Sequence, residues 1–149
     1  MGMQSVTVAT ALAVAVVLGT DVFFTVVGRT ALARVTNASV LEVMAHLHAV
    51  ADRRMPAFGV SGIVGAGLLV ALGPSRAGAA AALVAQLAWL GLYLTIAKPI
   101  NAQLIAAQAT GASADVRDLQ TRWESILVPR SLLLGIALTA LMLTLPMDR

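Results

Sequence analysis

Four long apolar stretches alternate with polar segments along this chain. They cover residues 6–27, 58–72, 77–97 and 131–145. A helix needs roughly 20 apolar residues to cross a hydrocarbon core about 30 Å thick, and these stretches have about that length. The pattern predicts an all-α polytopic membrane protein, in which a bundle of four transmembrane helices forms a single domain over residues 1–149.

A polar, amphipathic connection follows the first apolar stretch. Asn37 or Ser39 can cap a helix that runs to Arg54, and Glu42 lies in its first turn, beside the positive end of the helix dipole. Pro56 is then expected to kink this helix or to restart it, because proline lacks a backbone N–H and its ring clashes with the preceding turn. The second apolar stretch follows directly.

The connection after the third stretch has the same order of parts, an amphipathic segment and then a proline. It begins with the sequence KPIN at residues 98–101, which is expected to close the third span. The two halves therefore resemble two related helical hairpins. The predicted segments after KPIN are an amphipathic segment to Thr110, a Gly-Ala-Ser loop at 111–113 and a polar segment at 115–124. Pro129 and Arg130 then precede the fourth span, and Pro146 follows it.

The composition agrees with a membrane location. Hydrophobic residues make up 59% of the chain and charged residues 11%, and the mean hydropathy is +0.89, which is far outside the range of soluble domains. The net charge of +3 does not indicate a nucleic-acid partner, because the basic residues lie at the ends of the spans, where topology and lipid headgroups account for them. Without cysteine, disulfides, thiolate metal ligands and cysteine nucleophiles are excluded.

The basic residues also predict an orientation. The side of the bundle opposite the two connections holds only Arg76 and Arg149. By the positive-inside rule, both connections lie in the cytoplasm and both termini lie outside the cell inner (plasma) membrane. A functional mouth is therefore expected on the cytoplasmic side. The basic residues of the connections are Arg29, Arg34, Arg53, Arg54, Lys98, Arg117 and Arg122, with Arg130 close by.

Both histidines lie within residues 41–58. Glu42 comes four residues before His46, and His48 four before Asp52, so each imidazole has a carboxylate near it on a helix. A histidine that a carboxylate orients can act as a general base toward an organic substrate. The competing interpretation is a pair of interfacial histidines that only solvate a helix surface.

Asp21 lies within the first span, where placing a charged carboxylate in the hydrocarbon core is energetically unfavourable. It is therefore either a member of the site, as an orienting acid together with Asp52, or one half of a structural ion pair. Arg130 stands at the head of the fourth span and also needs a partner, for which Asp21, Asp52 and Glu124 are available. We expect an Arg–Asp pair that closes the bundle. The candidate catalytic residues are His46, His48, Asp21 and Asp52.

Polar residues at the ends of the spans are candidates for substrate binding. Asn101 follows Pro99 at the mouth of the bundle, where its amide can bind loose carbonyl groups or a polar group of a substrate. Trp123 is most simply an aromatic-belt residue. The candidate substrate-binding residues are Asn101, Trp123, Arg130 and Arg53.

The same residues are candidate ligands for a metal ion or a tetrapyrrole cofactor. Two imidazoles and up to three carboxylates could ligate zinc, iron or copper, and His46 or His48 could hold a tetrapyrrole. However, two helical residues separated by one position point about 200° apart, and no H-E-x-x-H or E-x-x-H pattern is present. We assign no metal site, and the cofactor stays open.

The sequences KPIN at 98–101 and RWESILVPR at 122–130, with a second span preceded by proline, resemble the DUF1772 family. These are small four-helix membrane proteins that include fungal anthrone oxygenases. The resemblance covers most of the chain. It matches the Pro-x-Asn of the family to Pro99 and Asn101, and the Trp and later Arg of the family to Trp123 and Arg130.

The resemblance implies an oxidoreductase that oxygenates an electron-rich, lipophilic aromatic ring without a cofactor. In that chemistry a base removes a phenolic or benzylic proton and the carbanion reacts with dioxygen. Asn101 and Arg130 would stabilise the developing oxyanion.

The alternative is a non-catalytic accessory subunit of a larger membrane complex, suggested by the small residues of the second and third spans. A transporter would require the bundle to form a homo-oligomer. An enzyme should turn its polar residues inward onto a cavity, whereas a subunit should turn its small residues outward.

Overall fold

The computed structural model describes residues 2–111 and 115–145, and these residues are helical almost throughout. The four long helices are α1 (Met3–Leu32), α2 (Asn37–Leu72), α3 (Arg76–Thr110) and α4 (Val116–Met142), each long and apolar enough to cross a membrane. No strand occurs in the part of the chain that the structure describes. The predicted all-α, four-helix class is confirmed.

The helices form a bundle in which chain neighbours are also neighbours in space. Helices α1 and α3 each pack against both α2 and α4. The links between α1 and α2 and between α2 and α3 are short, which makes consecutive helices antiparallel. Helix α4 is interrupted by a turn between Val116–Glu124 and Leu127–Met142.

Helix α2 continues through its proline. The sequence predicts a kink or a restart at Pro56; the helix does not restart there, because α2 runs for 36 residues with Pro56 inside it. A proline removes only the hydrogen bond of its own missing N–H, and the packing of the flanking turns outweighs that loss. Thr36 is the cap, rather than Asn37 or Ser39, because its hydroxyl oxygen accepts from the backbone N–H of Ser39 at 3.2 Å.

Helix α3 likewise does not end at KPIN. Its first segment, Arg76–Leu92, passes through a π-helical turn at Tyr93–Ala97 into a last segment, Lys98–Thr110. The ring of Pro99 would clash with the carbonyl of Thr95, four residues earlier, and the wider π turn around Thr95 accommodates it. A second π turn, Phe24–Gly28, interrupts α1.

The predicted connections are therefore largely extensions of the four long helices. At 1.5 Å per residue α2 is roughly 54 Å long, well beyond a hydrocarbon core of about 30 Å. The described residues include Gly111 of the predicted Gly-Ala-Ser loop but not 112–114, and Pro146 and Arg149 also lie outside them. The fourth helix ends at Met142, three residues earlier than predicted.

The interior contains two apolar cores with a polar layer between them. On α1, Asp21 comes between Val17 of one core and Phe24 of the other. On α4, Arg130 comes in the same way between Leu127 and Leu134. The polar layer thus crosses the bundle part of the way along its length, and it holds most of the candidate site residues.

Candidate functional site

A cavity of about 130 Å³ lies in the polar layer, and all four helices contribute to its wall. Most of the wall is apolar and aromatic, including Phe24, Leu47, Met55 and Val60. The polar and charged members are contributed by α1 (Thr20 and Asp21), α2 (His48 and Asp52), α3 (Trp89, Tyr93 and Asn101) and α4 (Trp123 and Arg130).

Asp21 and Arg130 form a buried ion pair on one side of the cavity. Arg130 Nη2 donates to Asp21 Oδ1 at 2.8 Å, and Trp89 Nε1 donates to Asp21 Oδ2 at 3.1 Å. The Arg130 guanidinium also lies over the Trp89 ring, 5.5 Å from its centroid, within cation–π range. The expected Arg–Asp pair is confirmed, and Asp21 has a partner on each oxygen.

Asp52 is the centre of a second hydrogen-bonded group. Tyr93 Oη donates to Asp52 Oδ1 at 2.8 Å, and Asn101 Nδ2 donates to Oδ1 and Oδ2 at 3.0 and 3.3 Å. A carboxylate only accepts, so the amide nitrogen of Asn101 must point toward it. The Asn101 amide nitrogen thus donates to Asp52, while its carbonyl oxygen has no hydrogen-bond partner among the described residues.

His48 packs against an indole. Its ring centroid lies 5.0 Å from that of Trp123, and Trp123 in turn meets Phe24 edge-on at 5.3 Å. Within residues 2–111 and 115–145, no hydrogen bond joins His48 to Asp52, whose oxygens accept from Tyr93 and Asn101. Aromatic packing therefore orients His48 in place of the expected carboxylate, and Trp123 is a core residue and not part of an aromatic belt.

Four buried polar atoms around the cavity have no hydrogen-bond partner among the described residues. They are His48 Nε2, Asn101 Oδ1, Trp123 Nε1 and Arg130 Nε, and all four residues line the cavity. An unsatisfied buried polar group costs roughly 1–3 kcal/mol, so proteins rarely keep several together unless another molecule pairs with them. Each of the four atoms is almost fully enclosed by protein, so a ligand in the cavity can reach one of them only if its side chain turns.

Two of the predicted site residues lie elsewhere. His46 and Arg53 are exposed on the outer face of α2 and do not line the cavity. His46 and His48 lie about 200° apart around the helix, so only one of them can face the interior. Glu42, the expected partner of His46, is also exposed.

Two wall residues are missing from the predicted site. Trp89 and Tyr93 lie near the end of the third apolar stretch, a usual place for residues at a membrane interface, but they form one aromatic face of the cavity, with stacked rings 6.1 Å apart. Their four-residue spacing, with Asn101 eight residues beyond Tyr93, places all three on one face of α3. That spacing is the signal that could have identified them.

Across the described ranges, no three side chains of the His, Asp and Glu types are grouped closely enough to hold a metal ion.

Comparison with protein-family models, curated proteins and solved structures finds no match to this chain.

Proposed function

We propose that the chain is an integral membrane oxidoreductase of the oxygenase type, acting on a lipophilic phenolic ring in the central cavity. The observation that carries the proposal is a mostly apolar, aromatic-lined cavity that has an imidazole, His48, in its wall together with Trp123 and Arg130. The resemblance to anthrone oxygenase-like proteins points to the same class of reaction.

The shape of the cavity supports an aromatic substrate. An apolar cavity of about 150 Å³ is known to bind benzene, and this one has a volume of about 130 Å³. Trp89, Tyr93 and Trp123 offer ring faces and edges to a bound ring.

The wall also offers a route from the membrane. Leu47 and Val60 line the cavity, yet they are 37% and 59% exposed at the outside of the bundle. In a bilayer these side chains face lipid, so a lipophilic substrate can reach the cavity sideways between helices.

His48 is the proposed base. Its Nε2 takes the proton of the phenolic O–H, and the phenolate places negative charge on a ring carbon. That carbon donates an electron pair to dioxygen and forms a C–O bond, and the peroxide oxygen takes the proton back from the imidazolium. The hydroperoxide then loses water, made from the ring C–H hydrogen and the outer O–H, and leaves a C=O group. One atom of dioxygen enters the ring and the other becomes water.

Trp123 and Arg130 are the proposed electrostatic stabilisers. Both side chains line the cavity, and a turn of either can bring its N–H group toward the oxygen that becomes negative when the proton leaves. Asp21 and Asp52 act through their neighbours: Asp21 holds Arg130, while Asp52 holds Asn101 and Tyr93. Both acids are therefore positioning residues.

The small residues of the spans account for packing within the bundle. Gly62 and Gly65 of α2, with Ala82 and Ala85 of α3, are buried inside it. They give the neighbouring helices close approach. The feature that suggested an accessory subunit thus has a role within this chain.

The test is oxygen uptake by the purified protein in lipid nanodiscs, measured over a panel of lipophilic phenols and polyphenols. We expect His48→Gln to lower the rate by about 10²–10⁴-fold, the usual loss of a general base. His46→Gln is the matched control and should keep the wild-type rate, because His46 is exposed and outside the cavity. Equal activity in both variants, or no uptake with any phenol, would overturn the proposal.

A further inference from the structure

The wall of the cavity combines an acid that has no counter-charge with an apolar stripe. We infer that the cavity binds an amphiphilic amine, whose protonated nitrogen lies at Asp52 and whose alkyl chain follows the apolar part of α2. This goes beyond the proposed reaction. It needs no proton transfer to His48, so either proposal can fail without the other.

Asp52 carries a charge that no basic side chain pairs with. The residue is half-buried and lines the cavity. Two ion pairs join side chains within residues 2–111 and 115–145, and Asp52 belongs to neither of them. Its hydrogen-bond donors, Tyr93 and Asn101, are both uncharged. Neutral donors do not cancel the charge of a carboxylate in an apolar site, so a cationic ligand at Asp52 is favoured.

The other charged groups of the wall do not balance Asp52. Arg130 and Asp21 are paired at 2.8 Å, so their charges cancel. The Nη1 group of Arg130 has no partner among the described residues, but the carboxylate on the same guanidinium limits its repulsion of a cation. Arg53 is exposed and does not line the cavity. Two aspartates and one arginine, with His48 neutral, give the wall a net charge of −1.

The hydroxyl groups of the wall already have acceptors for their hydrogens. Tyr93 Oη donates to Asp52 Oδ1 at 2.8 Å, and Thr20 Oγ1 donates to the Val16 carbonyl at 3.1 Å. Asp52 Oδ2 accepts only from Asn101, at 3.3 Å, among the described residues. A carboxylate oxygen has two lone pairs, so Oδ2 retains room for an N–H donor of a ligand.

Pro56 adds a second acceptor at the same residue. A proline has no N–H, so the carbonyl four residues before it lacks the donor that it would have in a regular helix. Helix α2 continues through Pro56, and the carbonyl concerned is that of Asp52 itself. Both residues line the cavity, so this carbonyl lies on the same face of α2 as the carboxylate. An ammonium group that has N–H donors can pair with both acceptors, whereas a quaternary ammonium can pair with neither.

The wall contributed by α2 changes from polar to apolar beyond Asp52. The cavity-lining residues that follow recur at intervals of three or four positions, the spacing of one helix face. They are Met55, Pro56, Gly59, Val60 and Ile63. At 1.5 Å per residue the stripe from Asp52 to Ile63 is roughly 16 Å long, and it continues into the apolar stretch 58–72. Val60 is 59% exposed, so an alkyl chain here also meets lipid, and each buried CH₂ favours binding.

Binding can be measured in phosphatidylcholine nanodiscs, whose lipid has no net charge. Both tryptophans of the chain line the cavity, so their fluorescence reports ligand binding there. The probes are dodecylamine, dodecyltrimethylammonium and dodecanol, compared at equal mole fractions in the bilayer. We expect dodecylamine to bind about tenfold more tightly than dodecanol, because its hydrogen bonds to Asp52 are charge-assisted. Equal affinities for these two would overturn the inference, and equal affinities for the amine and its trimethyl analogue would overturn the N–H contacts.

Asp52→Asn removes the charge but keeps the size of the side chain and an acceptor for Tyr93. We expect the affinity for dodecylamine to fall about tenfold, to that for dodecanol. Asp118→Asn is the matched control and should bind as wild type, because Asp118 is exposed on α4 and outside the cavity. A preference for the amine that survives in Asp52→Asn would contradict the assigned charge.

Pro56→Ala tests the backbone acceptor without removing a charge. Alanine restores the N–H that pairs with the Asp52 carbonyl, and it is favoured in a helix, so the variant should stay folded. We expect dodecylamine to bind about threefold more weakly than to wild type, since one hydrogen bond is lost, and dodecyltrimethylammonium to bind unchanged. An equal change for both ligands would contradict the role of the carbonyl.

The outcomes for the ligand and for the reaction are distinguishable. If dodecylamine binds selectively but no phenol causes oxygen uptake, the amine site stands and the oxygenase proposal fails. If a phenol is oxygenated while dodecylamine binds no better than dodecanol, the oxygenase proposal stands and the amine site fails.

Discussion

Asp21 and Arg130 lie 109 positions apart in the sequence, yet their side chains meet at 2.8 Å in the interior of the bundle. The carboxylate also accepts from Trp89, so one acid joins α1, α3 and α4. Its side chain is 4% exposed and that of Arg130 is 8% exposed. This buried group makes the register of three helices depend on three residues, Asp21, Trp89 and Arg130.

Loss of one member of this pair should destabilise the folded protein. We expect Arg130→Met to lower the free energy of unfolding by about 3–5 kcal/mol, because it leaves an uncompensated carboxylate in the interior. The double variant Asp21→Leu with Arg130→Met removes both charges and should be less destabilised than the sum of the two single variants. Denaturant unfolding in detergent measures all three. Simple additivity would show that the two groups are not coupled.

A close contact between α1 and α2 gives a second prediction. A Cβ at Gly65 would overlap Thr10 Oγ1 and lie 3.0 Å from Thr10 Cβ. The hydroxyl donates to the Val6 carbonyl at 2.7 Å, so it cannot turn away without losing that bond. We expect Gly65→Ala to destabilise the protein by roughly 1–3 kcal/mol through overpacking, measured by thermal unfolding in detergent.

Gly67 provides the matched control on the same helix. A Cβ there meets no atom within 4 Å, and alanine is favoured over glycine in a helix by roughly 0.5–1 kcal/mol. Gly67→Ala should therefore leave the melting temperature unchanged or raise it. A similar loss in both variants would mean that the helix contact at Gly65 is not the cause.

The sequence predicts the helices better than the site, and the reasons are physical. Hydropathy alone identifies four apolar spans, and the cost of burying Asp21 and Arg130 predicts that they pair. Periodicity places His46 and His48 on different faces of one helix but cannot tell which face turns inward, since both faces carry an acid four residues away. Only the packing of Trp123 against His48 shows that the face with His48 turns inward.

The positions of Trp89 and Tyr93 could not be read from hydropathy for a related reason. An aromatic residue near the end of an apolar span is typical of a membrane interface. Here α3 continues past Pro99 to Thr110, so the apparent end of the span is the middle of a helix. A local π turn accommodates the ring of Pro99 within the helix, and such turns cannot readily be predicted from a sequence.

Arg117 connects the first part of α4 to the link between α1 and α2. Its Nε donates to Asn37 Oδ1 at 2.8 Å and its Nη1 to the Leu32 carbonyl at 3.0 Å, while Nη2 donates to the Val35 carbonyl. We expect Arg117→Ala to lower the free energy of unfolding by roughly 1.5–3 kcal/mol, because several charge-assisted hydrogen bonds are lost together. Hydrogen–deuterium exchange in residues 33–36 should accelerate in this variant.

Arg122 on the same helix is the control for this prediction. Its pair with Asp118 is 3.5 Å long, and both side chains are more than half exposed, at 57% and 56%. Exposed ion pairs contribute little to stability, so Arg122→Ala should change the free energy of unfolding by less than about 0.5 kcal/mol. Arg117→Lys should not restore the wild-type exchange rate, because an ammonium group cannot reproduce the fork of the guanidinium. Full rescue by lysine would show that charge alone holds the link.

The predicted orientation can be tested directly because the chain contains no cysteine. Single substitutions Ala33→Cys and Ser75→Cys place a thiol at exposed positions in the first and second helix links, at opposite ends of the bundle. By the positive-inside rule, a membrane-impermeant maleimide should label Ser75→Cys in intact cells and Ala33→Cys only after permeabilisation. The cysteine-free parent is the control. The reverse pattern would place the basic links outside, and labelling of both thiols in intact cells would mean that α2 does not cross the membrane.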